Sequence, residues 1–125
     1  MERLFLTAGA ISGGLAVAAG AFGAHALRTR LPPDLLAAWK TGAEYQLAHA
    51  LALLAVGWLV VRAPGAAATA AGWLFLAGTV LFSGSLYALA LSGVRALGAV
   101  TPLGGVAFLA GWVAVAWAAV RMRSG

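Results

Sequence analysis

Residues 39–54 read WKTGAEYQLAHALALL, in which polar residues lead directly into an apolar run. This polar segment holds a Lys, a Glu, a Tyr, a Gln and one of the two His residues, in a chain otherwise dominated by Ala, Leu, Gly and Val. Polar groups that enter a membrane find no water there and need partners on other helices. We therefore expect the other helices to be arranged around the polar segment.

The composition of the whole chain identifies the solvent in which it folds. Of its 125 residues, 63% are hydrophobic and 9% are charged, and the mean hydropathy is +0.97. A soluble globular chain has about 45–50% apolar and about 25% charged residues, so the composition excludes a soluble domain. The absence of cysteine excludes disulfides, thiolate metal ligands and a Cys nucleophile.

Four apolar runs follow one another, at about residues 4–26, 46–61, 70–92 and 103–120. Each is close to the ~20 residues that a helix needs to cross the hydrocarbon core. The runs lack the alternation of barrel strands, so helices are the remaining way to satisfy the backbone in lipid. The sequence predicts an all-α membrane protein in which residues 1–125 form a single domain, a compact bundle of four transmembrane helices.

An interfacial amphipathic segment is predicted before the second span. Pro-Pro-Asp at residues 32–34 is typical of a helix start. Leu35, Leu36 and Trp39 then follow on one side of the helix, with Trp39 suited to the membrane interface. A helix that continued from there to Val61 would be too long for an upright span. It would either tilt or bend, and we expect a bend near Gly42.

The first apolar run is rich in small residues. It is longer than the about 7–15 residues of a signal-peptide core, so we interpret it as a true first span. Gly9, Gly13, Ala16 and Gly20 lie on roughly one face of this helix. Small residues at this spacing let helices approach closely. They predict a packing face inside the bundle or between protomers of a homo-oligomer, with a ligand or ion path along the groove as the alternative.

The chain has a net charge of +5, and its basic residues lie one by one near the ends of the apolar runs. The basic residues are Arg3, Arg28, Arg30, Lys40, Arg62, Arg95, Arg121 and Arg123. This pattern is typical of a protein whose partners are membrane lipids, and it lacks the basic cluster that nucleic-acid binding needs. With both termini inside, four basic residues lie on each side. We expect cytoplasmic termini because three of the inner four lie at chain ends or in a very short loop.

The candidate polar site combines the polar segment with the end of the first helix. On the second helix it contains Thr41, Glu44, Tyr45, Gln46 and His49. Because a short loop joins the first two helices, we expect His25 to meet Gln46 and His49 in a clasp of interhelical hydrogen bonds. Handling of a proton or ligand is the first alternative. A metal site of His25, His49 and Glu44 is the second, although no tight spacing motif supports a bound metal.

Hydroxyl groups on the later helices are possible contributors to this site. They are Ser83, Ser85, Tyr87 and Thr101. Such groups either line a hydrated path or bond to carbonyl groups of their own or a neighbouring helix. Lys40 and Glu44, four residues apart, are interpreted as screening one another at the interface. The sequence shows no catalytic triad, carboxylate pair, phosphate loop or haem motif, so we expect neither an enzyme nor a cofactor.

Five sequence stretches together resemble the YgdD family of small four-helix membrane proteins, which includes transmembrane protein 256. They are GAFGAHAL at residues 20–27, WKTGAEYQLAHAL at 39–51, FSGSLY at 82–87, TPLGG at 101–105 and GW at 111–112. The resemblance extends over nearly the whole chain and implies four helices in a bacterial inner membrane. It implies no particular activity, and it suggests that His25, Tyr45, Gln46 and His49 form the site.

These observations favour a small integral membrane protein with a structural or interaction role in the bilayer. One alternative is a pore or carrier for a small solute or ion, in which His25, Gln46 and His49 line a hydrated cavity. Another is a binder of lipid headgroups through the interfacial basic residues Arg28, Arg30 and Lys40.

Overall fold

The computed structural model describes residues 1–122, which contain helices and no strand. The elements are α1 (Glu2–His25), α2 (Pro33–Arg62), α3 (Ala66–Gly78), a π turn (Thr79–Ser83), α4 (Gly84–Ser92), a 3₁₀ turn (Arg95–Ala99) and α5 (Thr101–Val120). Of the predicted flanking cations, Arg123 lies outside the described residues.

Local sequence signals account for several helix ends. α2 begins at Pro33, which lacks the N–H that a first helical turn leaves unbonded, and Asp34 follows in that turn. α4 ends at Gly93, whose φ of 72° lies in the left-handed region that favours glycine. α5 carries Pro102 in its first turn. These residues mark where the three helices begin or end.

Four helical stretches are long and apolar enough to cross a membrane. They are Glu2–His25, Pro33–Arg62, Ala66–Ser92 and Arg95–Val120. The third consists of α3, the π turn and α4, and the fourth is α5 with the 3₁₀ turn before it. The prediction of an all-α membrane protein with four spans is confirmed.

The second span and the segment before it form one continuous helix. α2 runs for 30 residues without interruption through Gly42, the position at which we expect a bend. The amphipathic residues before the span are the first turns of this same helix. Gly42 is instead a contact point, because a Cβ atom there would lie 3.0 Å from the Tyr87 ring and 3.3 Å from the Ser83 carbonyl oxygen.

α2 lies at the centre of the bundle. It packs against α1 on one side and against the third span on the other. α5 packs mainly on α3 and the π turn, and it touches α2 only slightly. The bundle therefore has an open seam between α2 and α5, close to the centre of the molecule.

Successive spans run in opposite directions, so the molecule has two distinct ends. The terminal side carries Met1, the α2–α3 connection at residues 63–65 and Arg121. The loop side carries the connections at residues 26–32 and 93–100. On the loop side the Arg95 guanidinium donates to the Asp34 carboxylate at 2.6 Å, which joins the second connection to the start of α2.

Aromatic rings set the spacing of the helices by resting on glycines of their neighbours. At four glycines, a Cβ atom would come closer than 3.0 Å to the ring of a neighbouring helix, so the missing side chain leaves a notch that the ring fills. The pairs are Phe5 on Gly72, Trp39 on Gly23, Phe75 on Gly111 and Phe108 on Gly78. Lipid tails remove most of the hydrophobic driving force between helices, so close contact of this kind stabilises the bundle.

The π turn was not predicted from the sequence. It inserts an extra residue into the third span at Thr79–Ser83, and the Thr79 hydroxyl donates to the Phe75 carbonyl oxygen at 2.8 Å. Next to it, Gly104 of α5 lies directly against the Phe82 backbone. Such turns often occur at functional sites. Here the turn places Ser83 against α2.

We expect Gly72→Ala to lower the free energy of unfolding by about 1–3 kcal/mol, because the added methyl group overlaps the buried Phe5 ring. Gly20→Ala is the matched control, since nothing lies within 4 Å of the corresponding Cβ position. It should leave stability unchanged or raise it slightly, because Ala favours helices over Gly. Thermal unfolding of both variants in detergent, followed by circular dichroism, tests this packing; equal stabilities would contradict it.

Candidate functional site

Gln46 links three helices at the centre of the candidate site. Its side chain is buried on α2, and its amide nitrogen donates to the carbonyl and hydroxyl oxygens of Ser12 at 3.1 and 3.2 Å. Its amide oxygen accepts a hydrogen bond from the Tyr87 hydroxyl at 2.6 Å. Gln46 therefore joins α1 to α2 and α2 to α4 through a single amide group.

Ser83 makes a second link between α2 and the third span. Its hydroxyl donates to the Gly42 carbonyl oxygen at 2.7 Å, and the side chain is almost completely buried. The Gly42 carbonyl belongs to helical backbone, so this bond needs no polar side chain on α2. The glycine leaves room for the Tyr87 ring next to the bond.

His49 makes the third link, toward α5. Its Nδ1 atom lies 2.8 Å from the Tyr45 carbonyl oxygen, and the Trp112 indole N–H donates to its Nε2 atom at 3.0 Å. A carbonyl oxygen only accepts and an indole N–H only donates. Both bonds are satisfied together by a neutral imidazole that carries its proton on Nδ1. The ring is buried and stacks on Phe108, with centroids 3.6 Å apart.

Rings from three spans surround His49. Phe75 meets its edge with a centroid distance of 5.4 Å, and the Tyr45 ring lies nearly parallel to it with a centroid distance of 6.3 Å. Aromatic pairs in these geometries add about 0.5–1.5 kcal/mol each beyond burial. The imidazole is therefore held in one orientation by packing as well as by hydrogen bonds.

The remaining hydroxyl groups bond at the start of α5. Ser85 donates to the Phe82 carbonyl oxygen at 3.0 Å, and its oxygen lies 2.6 Å from the Thr101 hydroxyl oxygen. This contact joins the third span to the first turn of α5. Of the four hydroxyl residues considered as contributors, Ser83 and Tyr87 contact the polar segment, whereas Ser85 and Thr101 form a separate contact.

The structure does not bring His25 to this site. His25 is exposed at the end of α1, where α1 packs near Trp39. His49 lies ten residues further along α2 than Trp39, which is about 15 Å along the helix. The expected clasp of His25 with Gln46 and His49 is therefore not formed, and Ser12 is the partner from α1. Because α1 and α2 are antiparallel, the C-terminal end of α1 lies beside the first turns of α2. His25 therefore does not reach the middle of α2, where His49 lies.

The other residues of the candidate site lie at its edge. Thr41 is half-buried, and Glu44 and Tyr45 are exposed on α2. Lys40 and Glu44 form no ion pair, since the ion pair found within residues 1–122 is Asp34–Arg95. In that same range no three His, Cys, Asp or Glu side chains lie close enough together to hold a metal ion.

Sequence reasoning missed Ser12 and Trp112. Both carried a signal: Ser12 is a polar residue within an apolar span, and Trp112 lies near the middle of α5, away from the interface where Trp is usually found. An indole N–H that lies inside a membrane has no water to accept its hydrogen bond and needs an acceptor from the protein. A search for that acceptor among the polar groups of α2 would have found His49.

The fold and site define a four-span helical membrane protein with a hydrogen-bonded polar layer formed by Ser12, Gln46, Ser83, Tyr87, His49 and Trp112. Gln46, His49 and Ser83 are its buried members, whereas Trp112 is partly exposed at the edge of the layer. The chain belongs to the family described as "Protein of unknown function (DUF423)", whose model matches residues 19–105. The matched range includes Gln46, His49, Ser83 and Tyr87. The resemblance to the YgdD family is confirmed.

Relatives extend the similarity to almost the entire chain. The chain is 48% identical to the UPF0382 membrane protein YwdK of Bacillus subtilis over 95% of its own length and 98% of that protein. It is 44% identical to the UPF0382 inner membrane protein YgdD of Escherichia coli, over 98% and 93% of the two chains. A UPF0382 membrane protein of Haemophilus influenzae is 41% identical over 99% of both chains. No solved structure matches the chain.

Proposed function

We propose that the chain has a structural or interaction role in the bilayer and that its polar layer is a clasp that fixes the register of the helices. One observation carries this proposal: within residues 1–122, every buried side-chain nitrogen or oxygen atom has a hydrogen-bond partner. A polar group that serves a moving solute must exchange partners with that solute or with water. A group whose partners are all protein atoms serves packing.

The same geometry is unfavourable for the alternative of a pore or carrier. Phe108 covers one face of His49, and the layer residues Gln46 and Ser83 are buried. A cavity at the ends of α2 and α5 and a groove between these two helices open on the molecule. Gln46, Ser83 and Tyr87 line neither of them, and Trp112 lines the groove. A conduit through the polar layer would require these side chains to separate.

The proposal includes no catalytic step, cofactor or metal ion. Both ring nitrogens of His49 take part in hydrogen bonds, Nδ1 to a carbonyl group of its own helix and Nε2 to Trp112 of α5, which leaves no free base at the site. Asp34, the one Asp of the chain, is paired with Arg95 on the surface. This use of the titratable groups supports a non-enzymatic role.

Substitution of clasp residues distinguishes a structural clasp from a pore or carrier. We expect His49→Ala to lower stability by about 2–4 kcal/mol, because it deletes a buried ring and the Trp112 bond, and Gln46→Leu to lower it by about 1–2 kcal/mol through the loss of interhelical hydrogen bonds. The measurements are thermal unfolding in detergent and proton or ion flux in proteoliposomes.

The matched control is Leu51→Ala on the lipid-facing side of α2, which should change stability little. Neither the wild-type chain nor the variants should conduct above empty vesicles. If the wild type conducts and His49→Ala abolishes this flux without changing stability, the clasp proposal is contradicted and the site is a conduit.

Self-association belongs to the same proposal. Gly9 and Ala16 of the predicted glycine face are buried against α2, so that part of the face packs inside the protomer. A second set of small residues points outward from α1 at helical spacing. These residues are Ala10, Gly14, Ala18 and Ala21. Small exposed residues on a helix that packs mainly on one neighbour support a homo-oligomer through this outer face.

Gly14→Leu should reduce the oligomeric fraction in lipid while the melting temperature of the protomer stays the same, since nothing lies within 4 Å of the position. Ala116→Leu adds a similar bulk to an exposed position of α5 and should have no effect. Single-molecule photobleaching in liposomes measures the oligomer distribution. Equal distributions in the two variants would exclude the outer α1 face as the contact.

We also propose a bacterial inner-membrane location with both termini in the cytoplasm. The name of the Escherichia coli relative supports the membrane assignment. Arg62 lies beside the short α2–α3 connection, on the same side as Arg3 and Arg121. Cations in short loops and near the ends of spans favour the cytoplasmic side.

The orientation is testable without background because the chain has no cysteine. In spheroplasts, a membrane-impermeant maleimide should label Thr29→Cys, in the loop-side connection at residues 26–32. It should label Pro64→Cys, on the terminal side, only after the membrane is permeabilised. The opposite labelling pattern would place the termini outside.

A further inference from the structure

The terminal side carries a cavity that the polar layer does not use. It has a volume of about 670 Å³ and lies between the α2–α3 connection and the end of α5. Arg62 and Arg121 line it, together with the small residues that follow Pro64. Within residues 1–122 no acidic side chain lines the cavity, and the two arginines give this lining a positive charge.

Each of the two arginines lies against a tryptophan near the end of its span. The Arg62 guanidinium lies 5.4 Å from the centre of the Trp58 ring, and that of Arg121 lies 5.4 Å from the centre of the Trp117 ring. Both tryptophans are more than half exposed, as in the aromatic belt of a membrane interface. Stacking uses the face of a guanidinium and leaves its N–H edge for an acceptor. Within residues 1–122, neither arginine pairs with a carboxylate.

The opposite wall of the cavity adds backbone donors. α3 starts at Ala66 after Gly65, with no side-chain cap and no acidic residue in its first turn. Ala66 and Ala67 line the cavity. The first N–H groups of a helix have no partner within the helix, and they favour an anion beside them. This wall complements the two guanidinium groups, which carry the charge of the cavity.

An apolar groove continues from the cavity into the membrane. It has a volume of about 210 Å³, follows the seam between α2 and α5, and is lined only by apolar surface. Met122 lines both the cavity and the groove. At the inner end of the groove, Phe75 and Trp112 form its floor. The side chains along the seam therefore offer a path for a hydrocarbon chain.

We infer that this cavity and groove together bind one anionic phospholipid, with its phosphate against Arg62 and Arg121 and an acyl chain in the α2–α5 seam. The positive charge selects the headgroup, and arginine suits phosphate because its planar N–H groups match the phosphate oxygens. Basic pockets between helices at a membrane surface are typical sites for such headgroups. The apolar groove distinguishes a lipid from free phosphate, which has no chain to place there.

This site is separate from the basic residues of the loop side. Arg28 and Arg30 are exposed in the connection at residues 26–32 and lie across the membrane from the cavity. They serve as the matched control, because replacing them changes the net charge by the same amount. The clasp residues Gln46 and Ser83 do not line the cavity, and Trp112 is the layer residue that also lines the groove. The charge that selects the headgroup therefore does not depend on the clasp.

The test is native mass spectrometry of the full chain, exchanged from detergent into mixtures of phosphatidylglycerol and phosphatidylcholine. The wild type should retain phosphatidylglycerol preferentially. The double variant Arg62→Gln/Arg121→Gln should weaken that retention by about 30-fold, from the loss of two interfacial charges. The Arg28→Gln/Arg30→Gln control should retain the wild-type preference. Retention unchanged in the first variant, or lost equally in both, would overturn the inference.

Two further arms separate lipid from phosphate and binding from folding. Ala55→Phe fills the groove from an exposed position and should weaken retention of phosphatidylglycerol, whereas inorganic phosphate should not displace the lipid. Displacement by inorganic phosphate with no effect of Ala55→Phe would identify a free-phosphate site and overturn the lipid. Arg62→Lys/Arg121→Lys keeps the charge but loses the planar N–H pairs, so it should retain an intermediate amount. Thermal unfolding should match the wild type in all variants; retention lost only where folding is lost would overturn the site.

Discussion

The contact of aromatic rings with glycine backbone is the constraint on which the rest of this structure depends. Lipid surrounds the bundle, so burying apolar surface between helices gains little compared with leaving it in lipid. Dispersion contacts at close range then decide the packing. Phe5 on Gly72 and Phe108 on Gly78 bring the spans to a separation that side chains at the glycine positions would prevent. Every hydrogen bond between the helices is made across these distances.

The polar layer is formed at the separation that the notches allow. The π turn adds one residue to the third span and directs the Ser83 hydroxyl to the Gly42 carbonyl oxygen. Gln46 uses both ends of its amide, and His49 uses both ring nitrogens. Interhelical hydrogen bonds in membranes average about 0.6 kcal/mol, so their main effect is on register. A helix shifted by one turn would leave these groups without partners in a solvent that supplies none.

The two ends of the molecule differ in a way that suits different roles. On the loop side, the exposed ion pair of Asp34 and Arg95 joins the connection at residues 93–100 to the start of α2. On the terminal side, α5 separates from α2 and leaves a basic cavity above an apolar seam. The buried polar atoms of the interior are thus hydrogen-bonded within the protein. The surfaces that remain available for binding are the outer face of α1 and the terminal-side cavity. Such a distribution fits a protein that acts by contact with lipids or other protein copies.

The sequence by itself determined the solvent, the number of spans, the family and the two polar residues, Gln46 and His49, that needed partners inside the membrane. Hydropathy and helix-end residues such as Pro33 and Gly93 act over a few neighbouring residues. They can therefore be recognised in the sequence without knowledge of the tertiary structure. The tertiary structure alone decided which groups became those partners. Ser12 rather than His25 meets Gln46, and Trp112 meets His49, because contacts across antiparallel helices depend on register and rotation. The π turn and the unbroken course of α2 through Gly42 follow from the same contacts, which join residues about 40 positions apart in the chain.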